Sequence, residues 1–152
     1  MMDPNIPTYS FRTENGHYLN APGGGGEGFD ATAGSIDWRS TFQLVDLDGG
    51  GLRSGDAINI RTNRNYYLMA YDGGGAGVTT SAWAMEWETF TIVKLGEYTN
   101  EIVYTDINPG DKVALISPDG VHYVAAEGGG GGAVNADRGR CENWETFTLI
   151  RN

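Results

Sequence analysis

Four shortages mark this sequence, and each removes a class of function. There is one cysteine, Cys141, so no disulfide can form within the chain and no disulfide framework argues for secretion. Basic residues are scarce: 10 Lys and Arg stand against 20 Asp and Glu, for a formal net charge of −10. An acidic surface repels phosphate backbones and anionic lipid heads, which makes nucleic acid and membrane surfaces poor partners. Long apolar runs are absent, with nothing near the ~18 residues that would span a bilayer. The first seven residues, Met-Met-Asp-Pro-Asn-Ile-Pro, hold no basic n-region and no apolar h-region. The expectation is a soluble, free-standing chain, cytoplasmic or exported without a signal peptide, or a module of a longer secreted protein. Helical periodicity is the fourth shortage, since no stretch of about 11 residues combines helical spacing with caps.

Glycine is abundant instead. Fourteen of the 24 glycines cluster in three runs, at 23–28, 73–77 and 128–132. Each run belongs to a repeated unit. The units read His17-Tyr18-Leu19-Asn20-Ala21, Tyr66-Tyr67-Leu68-Met69-Ala70 and His122-Tyr123-Val124-Ala125-Ala126, each followed by its glycines. Each then reaches a Trp and a Thr-Phe pair: Trp38 with Thr41-Phe42, Trp87 with Thr89-Phe90, and Trp144 with Thr146-Phe147. The tyrosines are 49 and 56 residues apart and the tryptophans 49 and 57, so an insertion precedes the third unit, between Lys94 and Lys112. The first unit reads as carrying one extra residue, because Trp38-Arg39-Ser40-Thr41-Phe42 replaces Trp-Glu-Thr-Phe.

Val, Ile, Tyr, Phe and Thr enrichment with period-two alternation predicts four short strands per unit. Turn signals at Glu14-Asn15-Gly16, Asn63-Arg64-Asn65 and Pro118-Asp119-Gly120 separate the first strand of each unit from the second. Along the fourth strand of the middle unit, Phe90 and Ile92 are expected on one face, Thr91 and Val93 on the other. Twelve short strands in three groups of four fit a closed six-stranded barrel capped by three hairpins, an all-β β-trefoil. One domain is expected over 1–152, with repeats at about 7–47, 56–95 and 112–152. A propeller is the competitor, but three blades fall below its usual four to eight.

The glycine runs lack the following helix and lysine of a phosphate loop; the charges beside them are Glu27, Asp72 and Glu127. They serve either tight loops or a shallow pocket that lets a ligand approach the backbone. Trp38, Trp87 and Trp144 are either barrel packing repeated with the fold or ligand platforms. A flat ring stacks on the apolar face of a sugar while neighbouring carboxylates take its hydroxyls. The acids in place for this are Asp37 in the first unit, Glu86 and Glu88 in the second, and Glu142 and Glu145 in the third. Trp83 occurs in the second unit only, where Gly34 and Gly139 stand in the others, and reads as an exposed anchor or a local packing residue. His17 and His122 occupy matching positions that a threefold scaffold holds apart, so no metal site is expected. Cys141 aligns with apolar residues, Ile36 and Met85, and reads as a small buried hydrophobe. No catalytic constellation stands out, no cofactor is called for, and three shallow equivalent sites suit multivalent binding rather than a single catalytic cleft.

The run from His122 to Gly131, with Val134-Asn135-Ala136-Asp137-Arg138 and Trp144-Glu145-Thr146-Phe147, resembles fascin-like β-trefoil repeats, and all three units share the pattern. Its Gly-rich, Trp-Glu-Thr-Phe form is similar to bacterial carbohydrate-binding trefoils, including family 92 carbohydrate-binding modules, which bind β-glucans at up to three sites. The resemblance implies a multivalent lectin for neutral oligo- or polysaccharides, with Trp87 beside Glu86 and Glu88, and Trp144 beside Glu142 and Glu145, as binding groups. The first unit departs from it, with Arg39-Ser40 where the others have Glu. The other reading is a protein-interaction trefoil, including fascin-like actin binding. One unit at −10 lacks the basic surface an acidic filament asks for.

Overall fold

The computed structural model describes residues 5–152; Met1–Pro4 of the expected domain lie outside the described residues. The chain forms strands β1 (Tyr9–Arg12), β2 (Tyr18–Asn20), β3 (Asp30–Ala33), β4 (Gln43–Asp46), β5 (Asp56–Arg61), β6 (Tyr67–Ala70), β7 (Val78–Ser81), β8 (Phe90–Leu95), β9 (Ile102–Val103), β10 (Lys112–Ile116), β11 (Tyr123–Ala126), β12 (Val134–Arg138) and β13 (Phe147–Arg151). Six one-turn 3-10 segments join some of them, and no α-helix occurs among the described residues. In particular, no helix is long and apolar enough to cross a membrane.

Six strands make the barrel. β1 pairs with β13, β13 with β10, β10 with β8, β8 with β5 and β5 with β4. The ring closes where Tyr9 and Phe42 exchange backbone hydrogen bonds of 2.7 and 2.8 Å. Closure leaves no free edge among these strands, which is how an all-β chain avoids pairing with its neighbours. Hairpins β2–β3, β6–β7 and β11–β12 cap one end. They also bond to one another: Gly131 donates to the Ala31 carbonyl at 2.7 Å and Gly75 to that of Ala136 at 2.8 Å.

The core repeats with the sequence. Phe42, Phe90 and Phe147 are buried, as are Leu19, Leu68 and Val124 from the tyrosine-bearing strands. Phe11 joins the two ends, its ring 6.2 Å from Phe42 and 6.3 Å from Phe147. Each such side chain contributes roughly 1.5–3 kcal/mol when taken from water. No tryptophan belongs to this core.

One expectation changes. The strands number thirteen because the insertion adds β9, which pairs with the end of β8. Val93 lies on the face opposite Phe90 and Ile92, as the alternation implies, and that face is covered as well: Val93, Leu95 and Ala114 form a second apolar cluster, with Ile102 of β9 and Cys141 against it. Cys141 is half-buried there, and burial pushes its thiol above the usual range.

The glycine runs stitch each unit to the next. Gly25, Gly74 and Gly130 adopt φ/ψ near 126/154, 145/165 and 125/159, a region open essentially to glycine alone. A Cβ there would lie 2.6 Å from Thr62 Oγ1, 2.3 Å from Asp119 Oδ2 and 2.3 Å from Thr13 Oγ1, all in the first hairpin turn of the following unit. The same joint carries a backbone bond each time, from Arg64 to Gly24, Asp119 to Gly73 and Asn15 to Gly129, at 2.9, 2.8 and 3.1 Å.

Candidate functional site

Each of the three repeated tryptophans, Trp38, Trp87 and Trp144, sits on a one-turn 3-10 segment between the third and fourth strands of its unit, and the turn is closed from inside. In the second unit the Met85 amide donates to Glu88 Oε1 at 2.7 Å; in the third, the Glu142 amide donates to Glu145 Oε1 at 2.8 Å. Ser40 does this work in the first, its Oγ accepting from the Asp37 amide at 2.9 Å. Thr41, Thr89 and Thr146 close the other end by donating to the carbonyls of Asp37, Met85 and Glu142 at 2.7, 2.9 and 2.8 Å.

This turn corrects the alignment of the units. Ser40, Glu88 and Glu145 are equivalent, so the extra residue of the first unit is not in this turn but in the irregular pairing of β2 with β3, which the third unit shares and the second lacks. Arg39 holds the place of Trp87 and Trp144, and Trp38 stands one position earlier. It also corrects the site: Glu88 and Glu145, expected to take sugar hydroxyls, are buried turn-closing groups. Burial pushes the Glu145 carboxyl up, with the Glu142 amide opposing. Counting back from the capping residues Asp37, Met85 and Glu142, the place of Trp83 falls to Ser35 and Arg140, not to Gly34 and Gly139. On the same count Cys141 matches Ile36 and Ala84, not Met85.

The tryptophans lie outside the core. Trp38 is 46% exposed, Trp87 and Trp144 42% each, and Trp83 72%. A glycine shelf supports each of the repeated three. A Cβ built on Gly73 or Gly129 would meet Trp87 or Trp144 Cδ1 at 3.6 Å. One on Gly24 would meet Trp38 Cζ3 at 2.8 Å, so the displaced Trp38 lays the other edge of its indole on the shelf. The far wall of each site comes from the next unit: Arg64 beside Gly24, Pro118 and Asp119 beside Gly73, and Glu14 beside Gly129.

Surroundings differ from unit to unit. In the first, the Arg39 and Arg64 guanidiniums lie 5.6 and 5.9 Å from the Trp38 ring centre, within cation–π range. Asp37 is held below the usual carboxylate range by the side-chain and backbone hydrogen bonds of Arg39, with which it is paired at 2.6 Å. In the second, Trp87 borders a cleft of about 450 Å³ with Asp72, Glu86, Thr89, Pro118 and Asp119, and no basic group among its lining residues. Asp72 is exposed and takes a left-handed backbone, φ 57°, where the other units have Gly23 and Gly128. Burial pushes the Asp119 carboxyl up, but hydrogen bonds from the Ser117 hydroxyl, the Val121 amide and His122 outweigh it and bring the pKa to about 2. In the third, Trp144 borders a cleft of about 850 Å³ with Asn100, Arg138, Arg140, Glu142 and Asn143. Glu127 stands outside that cleft; it pairs with Arg138 and accepts from Asn135 Nδ2 at 2.7 Å, so it positions the arginine.

Asn100, Pro118, Asp119, Arg138 and Arg140 were not among the candidate site residues read from the sequence. Asn100 comes from the insertion and the Pro118-Asp119 turn from the neighbouring unit, so their place at a site is a matter of tertiary packing. Arg138 and Arg140 carried a signal, being basic residues that only the third unit has next to its tryptophan turn. His17 and His122 are half-buried rather than free: their Nδ1 atoms lie 2.7 Å from Asn15 Oδ1 and 2.6 Å from Asp119 Oδ2, with Gly131 and Gly75 against their rings. Asp46, Asp48 and Asp56 bring carboxylate oxygens within 4.8 Å of one another, but their oxygens accept the backbone amides of Asp48, Ala57 and Arg53 at 3.0, 2.8 and 2.8 Å. This is turn closure, away from the tryptophans.

No family model matches the chain, and no curated protein sequence does. Solved structures do. The designed threefold-symmetric protein ThreeFoil superposes with a TM-score of 0.72 at 15% identity, over 94% of this chain and 97% of its own. The SDF2-like protein from Arabidopsis thaliana gives 0.71 at 13%, over 95% and 94%. SeviL, solved bound to the asialo-GM1 saccharide, gives 0.65 at 15%, over 96% and 98%. At these identities the likeness is one of fold, and with the barrel, the three hairpin caps and the threefold repeat it makes this chain a β-trefoil.

Proposed function

We propose that this protein is a multivalent carbohydrate-binding protein, without catalytic activity, that takes neutral glycans at its second and third units, with β-glucan the first ligand to try. The observation that carries the reading is the exposure of Trp87 and Trp144 on equivalent glycine shelves, each bordering an open polar cleft. A core already complete without them gives no packing reason for these rings to recur. Indole faces stack on sugar C–H faces, and the exposed carboxylates beside them, Glu86 with Asp72 in one unit and Glu142 in the other, accept hydroxyls. Neutral polyhydroxylated ligands suit a chain of net charge −10 better than anionic ones. SeviL, a trefoil of the same fold, is a saccharide-bound protein, which supports carbohydrate as the partner class. The first unit is the weak member, because two guanidiniums occupy the space around Trp38.

A glycan array followed by calorimetric titration of the best hit tests this. Binding that is insensitive to salt and is lost in the Trp87→Ala/Trp144→Ala double variant is expected. A folded protein that binds no glycan, or a double variant that still binds, overturns the reading and moves the weight to a protein partner. Salt-sensitive binding to actin filaments would identify the fascin-like alternative.

A further inference from the structure

The second unit holds two clefts, not one. Besides the acidic cleft of about 450 Å³, a second of about 320 Å³ is lined by Ser81, Trp83, Met85, Glu86, Trp87 and Glu88. The two share Trp87 and Glu86, so the indole and an exposed carboxylate form a common wall. The chemistry of the second cleft differs. Trp83 is 72% exposed and Met85 69%, a large apolar surface to leave in water. The loop that presents Trp83 is tied down: the Trp83 amide donates to Ser81 Oγ at 3.3 Å, and the same hydroxyl is 3.3 Å from the Trp83 carbonyl, to which it can donate. This holds the ring's backbone in place and lowers the ordering cost of binding. Neither of the other units has the feature, since Ser35 and Arg140 stand at the place of Trp83, and Asp37 and Glu142 at that of Met85.

We infer that the second unit binds a glycan chain across both clefts, as tandem subsites on the two sides of Trp87. One sugar stacks on Trp87 with its hydroxyls in the acidic cleft. The adjoining sugar of the same chain lays its apolar face on Trp83 and Met85, and Glu86 lies within the walls of both subsites. This rests on the reading of the second unit as a sugar site. Continuity selects the occupant: the second cleft opens against the wall of the first, so a group already held on Trp87 delivers its neighbour there. A protein partner is disfavoured by size. Trp83 and Met85 are two exposed apolar side chains, where a standard interface takes ~800 Å² and roughly 20–30 residues per partner. The third unit has arginine at the place of Trp83 and so lacks this second aromatic platform.

The test uses the full chain as a Trp38→Ala/Trp144→Ala double variant, which leaves the second unit as the one repeated platform. It is titrated with β-linked glucose oligomers of one, two and three residues. Affinity is expected to rise about tenfold from one residue to two, the scale of one added aromatic platform. Adding Trp83→Ala removes that rise and leaves monosaccharide affinity within about twofold, and Trp83→Phe restores part of it. Circular dichroism checks that each variant is folded. A chain-length gain that survives Trp83→Ala, or a flat series in its presence, overturns the tandem site while leaving the carbohydrate reading standing. A folded wild-type chain that binds none of these oligomers and no glycan on the array overturns the carbohydrate reading, and this inference with it.

Discussion

The first and second units rest a tryptophan on the same glycine shelf, yet their surroundings are opposite in charge. Trp38 lies among Arg39 and Arg64, while Trp87 faces a cleft with Asp72, Glu86 and Asp119. The difference begins with a shift of one residue. When Trp moves from the second to the first place of the 3-10 turn, an arginine takes the vacated place. The indole then reaches the shelf by its opposite edge. The three rings are about equally exposed, so a fold can preserve a residue's location and exposure and still change its electrostatic surroundings. Repetition of a residue type is evidence for a shared location, and the flanking residues decide what that location can bind.

The comparison breaks first at the joints, where the units should behave alike. Gly25→Ala and Gly74→Ala each force a side chain into a glycine-only backbone and against the next unit. Each should cost about 3 kcal/mol, or roughly 6–12 °C in thermal midpoint by calorimetry. Gly34→Ala, in open space at ordinary φ, should stay within about 0.5 kcal/mol. Trp87→Ala should weaken sugar binding at its own site by about 2 kcal/mol, near thirtyfold in titration. Being exposed, it should leave the circular dichroism spectrum unchanged, and Trp38→Ala should leave sugar binding unaltered. The contrast sharpens with the reverse change: Arg39→Ala/Arg64→Ala removes the guanidiniums that compete for the Trp38 ring, and titration should then find one more site per chain. That variant loses two cation–π contacts of about 0.5–1 kcal/mol each in stability.

The smallest effect concerns pH. Asp119 has a folded-state pKa of about 2, below its ordinary 3.8. Its contribution is thus full above about pH 4 and is lost as pH falls through about 2. Asn15 does the same work for His17 in the first unit with a neutral amide. Asp119→Asn should therefore cost no more than about 1 kcal/mol at neutral pH. Its unfolding free energy, followed by denaturant titration between pH 4 and 2, should fall less steeply than that of wild type.

How much of this was legible beforehand follows from where the information lies. Three Tyr, Gly, Trp and Thr-Phe copies imply threefold symmetry, and alternation such as Phe90 and Ile92 then assigns the barrel strands. Val93 keeps its alternation, opposite Phe90 and Ile92, but the insertion covers that second face too, and nothing local to β8 records that. The exposure of the tryptophans was open in the sequence, since a ring repeated with the fold fits core and surface equally well. Glu88 and Glu145 misled because a carboxylate next to a tryptophan reads as a sugar ligand, while the same spacing also closes a 3-10 turn from within. Asp119 and Asn100 could not be assigned to a site from one unit's sequence, because each reaches it from another part of the chain.

Stoichiometry is the most direct test of the central claim that two of the three tryptophan platforms, those free of cation–π arginine contacts, bind sugar. Titration of the wild-type chain with the best-binding oligosaccharide should give two ligands per chain. It should give one after Trp87→Ala, one after Trp144→Ala, and still two after Trp38→Ala. A stoichiometry that falls with Trp38→Ala, or that neither Trp87→Ala nor Trp144→Ala changes, would contradict the account.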